Sequence, residues 1–295
     1  MDNKYDKYRL SEASHTKIFE KLSQYLKDTT REQDNPKILI ISGQPGAGKT
    51  ALADTLKSAI FKYSVDVASI NGDDYREMHP QCREIFLAHD KEYAQYTDPD
   101  ARLWTKELLQ WASDNKRNII FESTLRNREP INTTIREIKA KGYEVHIALL
   151  AVPKEITRTN IVLRYENAKA NPNAIARWTS FEAHEEAYRN IPNTIDYLER
   201  NNNCIDSIRI FEPSQEKPEK SLKEIYNSTA SSGSLAKQHL LRSRIKELAA
   251  EEKNALTAKQ KKILELMAQR KASAKEIDEI QTFFRGRIPE QFTAN

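Results

Sequence analysis

Residues 38–50 read ILIISGQPGAGKT, and the fold follows from this stretch. ILIIS (38–42) is an apolar run of strand length, the composition of a parallel strand covered on both faces. The next eight residues, Gly43-Gln44-Pro45-Gly46-Ala47-Gly48-Lys49-Thr50, fit the phosphate-loop pattern G-x-x-x-x-G-K-[ST]. TALADTLKSAI (50–60) has helical period. Strand, glycine-rich loop and helix in that order make an anion cradle. Glycines let successive N–H groups turn inward onto phosphate oxygens, and the helix adds the partial positive charge of its first turn. In this reading Lys49 reaches the β- and γ-phosphates of a nucleotide, and the Thr50 hydroxyl ligates Mg²⁺. The chain has only seven glycines, and three of them fall within these six positions, 43–48. A turn without a ligand would not account for that concentration.

Further strand-like runs follow at 65–70 (VDVASI), 118–123 (NIIFES), 143–152 (YEVHIALLAV) and 205–212 (IDSIRIFE). Helical periods separate them at 83–96, 100–113, 130–141 and 154–170. Thr179 with Glu182 forms a possible capping box for one more helix. Ahead of the first strand, residues 11–27 present Ile18, Phe19, Leu22, Tyr25 and Leu26 on one face. Alternating strands and helices predict an α/β fold, a mostly parallel sheet flanked by helices. The chain divides into an N-terminal helix and linker (1–36), a phosphate-loop domain (37–213) and a basic helical tail (214–295). In the tail, segments 214–224 and 227–234 read as linkers. Leu241, Ile245 and Leu248 mark a helical stripe, as do Ile263, Leu266 and Met267, and then Ile277, Ile280, Phe283 and Phe284. Thr257 with Gln260 and Ser273 with Glu276 read as capping boxes.

Composition narrows the function classes. At 295 residues, 38% hydrophobic and 31% charged, the chain can build one large domain with an appendage. No window supports a membrane span, and the first fourteen residues lack the apolar core of a secretory signal. Cys82 and Cys204 are too few for a disulfide scaffold or a cysteine zinc site, so two free thiols in a cytoplasmic protein are expected. Residues 214–295 carry 16 basic and 11 acidic side chains, against 31 and 32 in residues 1–213. The excess positive charge thus lies in the tail, but its signs are mixed, and nucleic acid is not the expected partner.

Two strand ends carry acid: Asp73 in INGDDYREMHP (70–80) and Glu122 in ESTLR (122–126). Parallel strands deliver their C-termini to one crevice, the one that holds the phosphate loop. A carboxylate there can accept the proton of an attacking hydroxyl, which suits a small-molecule kinase. His79, His89 and His184 have no partner at metal spacing and read as structural.

GQPGAGKT, INGDDYREMHP, ESTLR, KGYE (141–144), AVP (151–153), RYE (164–166) and ARWT (176–179) occur in the order and spacing of the zeta toxins, and the chain resembles that family from about Tyr8 to about Pro213. The resemblance implies a P-loop kinase of a toxin–antitoxin module. Such a kinase uses ATP and Mg²⁺ to phosphorylate the 3′-hydroxyl of UDP-N-acetylglucosamine, blocks cell-wall precursor synthesis, and is held by a small helical antitoxin. It also implies roles: Asp73 as catalytic base, with Asp74 beside it as the alternative; Lys49 and Thr50 on phosphate and metal; Glu122, Thr124, Arg126 and Thr133 (or Thr134) in the substrate pocket; and Arg164 and Arg177 as a clamp on the transferred phosphate. Lys106 stands where the family places a sugar-contacting glutamate, with Glu107 adjacent, and Trp178 is bulkier than usual. Another hydroxyl acceptor is therefore an alternative, as is a nucleotide switch with a nucleic-acid-binding tail. A tail that inhibits the kinase in cis would make residues 1–213 more active alone.

Overall fold

The computed structural model describes residues 4–61, 66–201, 203–214, 222–229 and 233–285. A 3-10 turn at Lys4–Tyr8 leads into α1 (Glu12–Thr29), β1 (Lys37–Ser42), α2 (Lys49–Phe61) and β2 (Val67–Ile70). Three short helices, α3 (Gly72–Tyr75), α4 (Cys82–His89) and α5 (Tyr93–Tyr96), precede α6 (Asp98–Asp114) and β3 (Asn118–Glu122). α7 (Arg128–Ala140), β4 (Glu144–Leu150), α8 (Lys154–Lys169), α9 (Phe181–Asn201) and β5 (Ser207–Pro213) continue the alternation. β6 (Leu222–Asn227), α10 (Ala236–Arg244), α11 (Ala250–Gln269) and α12 (Ala274–Phe284) follow.

The strands form one sheet in the order β2-β3-β1-β4-β5-β6, parallel except for β6, which runs antiparallel to β5. The expected mixed α/β architecture is the observed one. β1 is central and apolar throughout because both its faces are covered. Ile38 and Ile40 meet Trp104 and Leu108 of α6 and Ile191 and Ile195 of α9. Leu39 and Ile41 face the other way, onto Leu52 and Leu56 of α2. The register pairs Ile41 with Glu122, so the end of β3 lies beside the start of the phosphate loop.

Several local expectations change. Tyr25 is 65% exposed, because it lies about 100° around the helix from Leu26 and falls off the buried face of α1. α9 is capped by Ser180, whose hydroxyl accepts from the Ala183 N–H at 3.2 Å; Thr179 is not the cap. α11 runs straight through Thr257, whose hydroxyl donates back to the Lys253 carbonyl at 2.9 Å, and its start is closed by Glu252 accepting from the Ala249 N–H. Ser273 does cap α12, accepting from Glu276 N–H at 3.2 Å. α10 buries Ala236, Leu240, Ser243 and Arg244, and leaves Leu241 and Ile245 exposed, the reverse of the stripe read from its leucines. Two polar residues set that face because both find hydrogen-bond partners there: Ser243 donates to the half-buried Glu212 and Arg244 to the buried Gln44.

The largest departure falls on the segments read as linkers. Residues 215–221 and 230–232 of those segments lie outside the described residues, but 222–227 is β6. It pairs with β5, and its Tyr226 is buried with Ile208, Ile210, Ala236 and Leu240. Sheet and core therefore continue across position 213. α11 and α12 pack on α8 and α9 through Ile161, Val162, Phe181, Ile263, Met267, Ile280 and Phe283. Burying a side chain such as Leu240 or Tyr226 stabilises by about 1.5–3 kcal/mol, against a total domain stability of about 5–15 kcal/mol. A 1–213 fragment is thus expected to bind a hydrophobic dye and to melt without a cooperative transition. A sharp melt at the full chain's temperature would show that the body stands without these elements.

Candidate active site

The phosphate loop takes its shape from two glycines and a close neighbour. Gly46 has φ +82° and Gly48 has φ +92°, the left-handed region that glycine enters without strain. A Cβ on Gly46 would lie 2.3 Å from the Thr157 carbonyl oxygen, so the loop is pressed against α8. Gly43 and Gln44 are buried; Pro45 and Ala47 are half-buried at the turn, where Ala47 N–H donates to the Gln44 carbonyl at 3.1 Å. The Gln44 amide donates to the Val152 carbonyl at 2.7 Å, and Asn160 of α8 donates to the Gly46 carbonyl at 2.9 Å. Lys49 and Thr50 open α2, whose first turn carries no acid, so its positive end remains available to an anion.

Across the crevice, Asp73 sits in the first turn of α3, where the Asn71 side chain accepts from its N–H at 3.1 Å. Gly72 lets α3 lie close to α6, because a Cβ there would come within 2.8 Å of Thr105 Oγ1. One Asp73 oxygen is 2.8 Å from Arg177 Nη1, and the other is 3.3 Å from Arg76 Nε. Arg76 is itself anchored to Asp98 at 2.7 Å. Burial alone would raise the Asp73 carboxyl, but Arg177, Arg76 and Lys49 outweigh it and hold it below the ordinary aspartate value. Asp74 is exposed and goes the other way, raised by partial desolvation and by the neighbouring Asp73 charge. Of the two adjacent carboxyls, the arginines hold Asp73.

Lys49 is pushed down by burial, pulled back by Glu122 and Asp73, and pushed further by Arg177 and Arg164. Glu122 is raised by burial, an effect Lys49 opposes and Asp73 reinforces. Arg164 is exposed on α8, yet partial desolvation in the crevice and the Arg177 charge bring its guanidinium down to about 10, so it stays cationic at neutral pH. Its Nη2 donates to Thr179 Oγ1 at 3.1 Å. Lys49, Asp73, Glu122, Arg164 and Arg177 thus share one electrostatic neighbourhood at the C-terminal edge of the sheet.

The remaining pocket residues are placed less uniformly. Thr124 and Arg126 are half-buried and flank Leu125, a buried residue with φ +50° that kinks the chain leaving β3. Arg126 Nη1 is 3.4 Å from Glu186 of α9. Thr133 is exposed on α7, and the Thr134 hydroxyl is spent on the Pro130 carbonyl at 3.0 Å. Lys106 is exposed, and Glu107 is taken by His15 Nε2 at 2.8 Å, so the α6 side chain that abuts α3 is Thr105. Trp178 meets Tyr165 and Phe181 edge-on and fills the seam against the C-terminal helices. His79 binds the Tyr8 carbonyl and His184 binds Thr157 and Glu185, both structural roles. Sequence reasoning missed Arg76, Asn160 and Thr105. Arg76 was legible as an arginine three residues beyond Asp73, whereas the other two become neighbours only through helix packing.

No cluster of three or more His, Cys, Asp or Glu side chains suited to a metal occurs among the described residues. Mg²⁺ carried on nucleotide phosphates needs only one or two protein oxygens and keeps its waters. Thr50, exposed in the first turn of α2, is the residue that could hold it.

The zeta toxin family model matches residues 22–229. The "Toxin zeta" of Enterococcus hirae is 30% identical over 179 residues, and the matched stretch spans 61% of that protein and 60% of this chain. "Toxin PezT" of Streptococcus pneumoniae is 30% identical over 195 residues, covering 65% of this chain and 73% of its own. A solved chain from the PezAT chromosomal toxin–antitoxin system of Streptococcus pneumoniae superposes with a TM-score of 0.73 at 24% identity, over 88% of this chain and 98% of its own. More distantly, a chain of the AvrRxo1-ORF1:ORF2 structure with ATP shares the fold at a TM-score of 0.53 and 13% identity, over 81% of this chain and 73% of its own. With the family model spanning the strand that starts the phosphate loop, both acidic strand ends and the two arginines opposite, the chain belongs to the zeta toxin family and has its P-loop kinase fold.

Proposed function

We propose that this protein transfers the γ-phosphate of ATP to the 3′-hydroxyl of UDP-N-acetylglucosamine and so removes a cell-wall precursor from use. The observation that carries this reading is one carboxylate, Asp73, held 2.8 Å from Arg177 in the neighbourhood of the phosphate-loop Lys49. The loop N–H groups and Lys49 hold the β- and γ-phosphates. Thr50 would hold Mg²⁺ on the protein side, and the ion would supply neutralisation of phosphate charge. Asp73 accepts the proton of the sugar hydroxyl while its oxygen attacks the γ-phosphorus, and ADP departs. Arg164 and Arg177 meet the charge spread over the transferring oxygens. Arriving phosphate competes with Asp73 for Arg177, which makes the freed carboxylate a stronger base. Glu122, Thr124, Arg126 and Thr133 form the sugar-nucleotide side of the site.

Two relatives lend support: one structural neighbour was solved with ATP, and another comes from a toxin–antitoxin system. A small helical antitoxin is accordingly the proposed partner, and the cytoplasm, which supplies both nucleotides, the proposed place of action. No helix among the described residues is long and apolar enough to cross a membrane. A different hydroxyl acceptor is the second reading, favoured by the exposed Lys106 at the position where the resemblance puts a glutamate. Mass spectrometry after incubation with Mg²⁺-ATP and UDP-N-acetylglucosamine, beside a panel of other hydroxyl acceptors, separates the two. A singly phosphorylated UDP-sugar supports the first reading. Product from another acceptor alone supports the second, and folded protein that consumes no ATP with any acceptor ends both.

A further inference from the structure

The phosphate loop is braced by residues far along the chain, in helices that sequence reading set apart as a tail. Arg244, the last residue of α10, is 2% exposed. Its Nη2 donates to Gln44 Oε1 at 2.7 Å, its Nη1 donates to the Tyr188 carbonyl at 2.8 Å, and its guanidinium lies 4.6 Å from the centre of the Tyr188 ring. From α11, Lys259 Nζ donates to Asn160 Oδ1 at 2.9 Å, and Asn160 passes the contact on to the Gly46 carbonyl. Two tail helices therefore end, by separate routes, on two residues of one loop. Between α11 and the loop lies a cavity of about 290 Å³, lined by Ala47, Ile156, Asn160, Pro213, Leu256 and Lys259 among others.

The two cations share one feature, although Arg244 is buried and Lys259 only half-buried. Neither Arg244 nor Lys259 has a carboxylate partner among the described residues, and Arg244 Nε is buried without an acceptor. Burial lowers Lys259, and it brings Arg244 down to about 10 with only Tyr188 opposing, so Arg244 remains charged at neutral pH. Holding an unpaired cation away from water is unfavourable, and an apolar side chain would pack a helix end at lower cost. The cost is offset if an anion comes to the loop they brace, because a fixed cation near a desolvated polyphosphate interacts far more strongly than in water.

We propose that Arg244 and Lys259 are positioning residues for the ATP phosphates, acting through Gln44 and through Asn160 and Gly46, so that α10 and α11 are working parts of the nucleotide site. This rests on the phosphoryl-transfer reading above, and it reverses the expectation that the tail inhibits.

The test uses the full chain with Arg244→Met, Arg244→Lys and Lys259→Met. Calorimetry gives the Kd for Mg²⁺-ATP, steady-state kinetics give KM for ATP and for UDP-N-acetylglucosamine, and thermal melts verify folding. Arg244→Met is expected to weaken ATP binding about tenfold and Lys259→Met about threefold, as loss of a charged hydrogen-bonding group at one remove from the ligand would. KM for the sugar nucleotide should stay within about twofold, and Arg244→Lys should recover part of the loss. Wild-type ATP affinity in folded variants, or equal weakening for both substrates, would overturn the proposal. Should Arg244→Met fail to melt cooperatively, Lys259→Met decides by the same criterion. The ATP Kd does not depend on the acceptor. Wild-type protein that binds ATP yet leaves every acceptor unmodified sinks the kinase reading and leaves this comparison readable, whereas wild-type protein that does not bind ATP sinks both.

Discussion

Asp73→Asn is expected to slow phosphoryl transfer by about 10²–10⁴-fold, the range of a lost general base, while Mg²⁺-ATP still binds. Asparagine keeps the size of the side chain and removes the one group placed to accept the hydroxyl proton. It also removes the charge that engages Arg177 and Arg76, so phosphate affinity should hold or rise. Asp74→Asn should cost no more than a few-fold, because that carboxyl is exposed and its hydrogen-bond partner is Asn71 rather than an arginine. Comparable losses at 73 and 74 would mean that the base has been misassigned. The pH profile tests the same group. A base acts ionised, and the free-enzyme Asp73 titrates below the ordinary aspartate value of about 3.9, so activity is present above that lowered pKa and lost as pH falls through it. kcat/KM for ATP reports the free enzyme and kcat reports the bound complex. Because bound phosphate draws Arg177 away, the acid limb of kcat should lie at higher pH than that of kcat/KM. Coincident limbs would show that Arg177 stays with Asp73 throughout.

Arg177→Lys is expected to lower kcat by about 10³-fold or more, the scale set by arginines that stabilise charge on a transferring phosphoryl group. Lysine keeps the charge, but it is a compact cation that cannot meet two oxygens with a planar fork. The same change loosens the cation that most lowers Asp73, because the shorter ammonium does not reach the place of Arg177 Nη1, so the acid limb of kcat/KM should move up in pH. The two effects separate two roles. A shifted limb with near-normal kcat would make Arg177 a partner of Asp73 alone and leave Arg164 as the clamp. Loss of kcat with an unmoved limb would mean that the 2.8 Å contact has no influence on the base.

Much of this site is visible in the amino-acid order, for a reason tied to parallel sheets. ILIIS, NIIFES and YEVHIALLAV read as strands because strands covered on both faces carry unbroken apolar runs. Parallel strands send their C-termini to one edge, so the amino-acid order itself puts Asp73 and Glu122 on the side of the loop. Elsewhere local pattern misleads. β6, with Lys223 and Glu224 exposed, has the charged, half-covered composition of an edge strand and reads as a linker. Thr133 and Lys106, at positions named by resemblance, are exposed on α7 and α6, which local sequence does not reveal, because a helix turns about 100° per residue and packing decides which face is covered.

Local order alone thus determined the phosphate loop, the five parallel strands around it and the two acidic strand ends, since each is a property of a few consecutive residues and their period. Only the tertiary structure decided which of the paired aspartates the arginines hold, that the sheet runs on past Pro213, and that Arg244 reaches Gln44 across 200 positions of chain. A contact of that span leaves no periodicity behind. It comes into being only when the core shared by β5, β6, α9 and α10 closes and carries the end of α10 up to the loop.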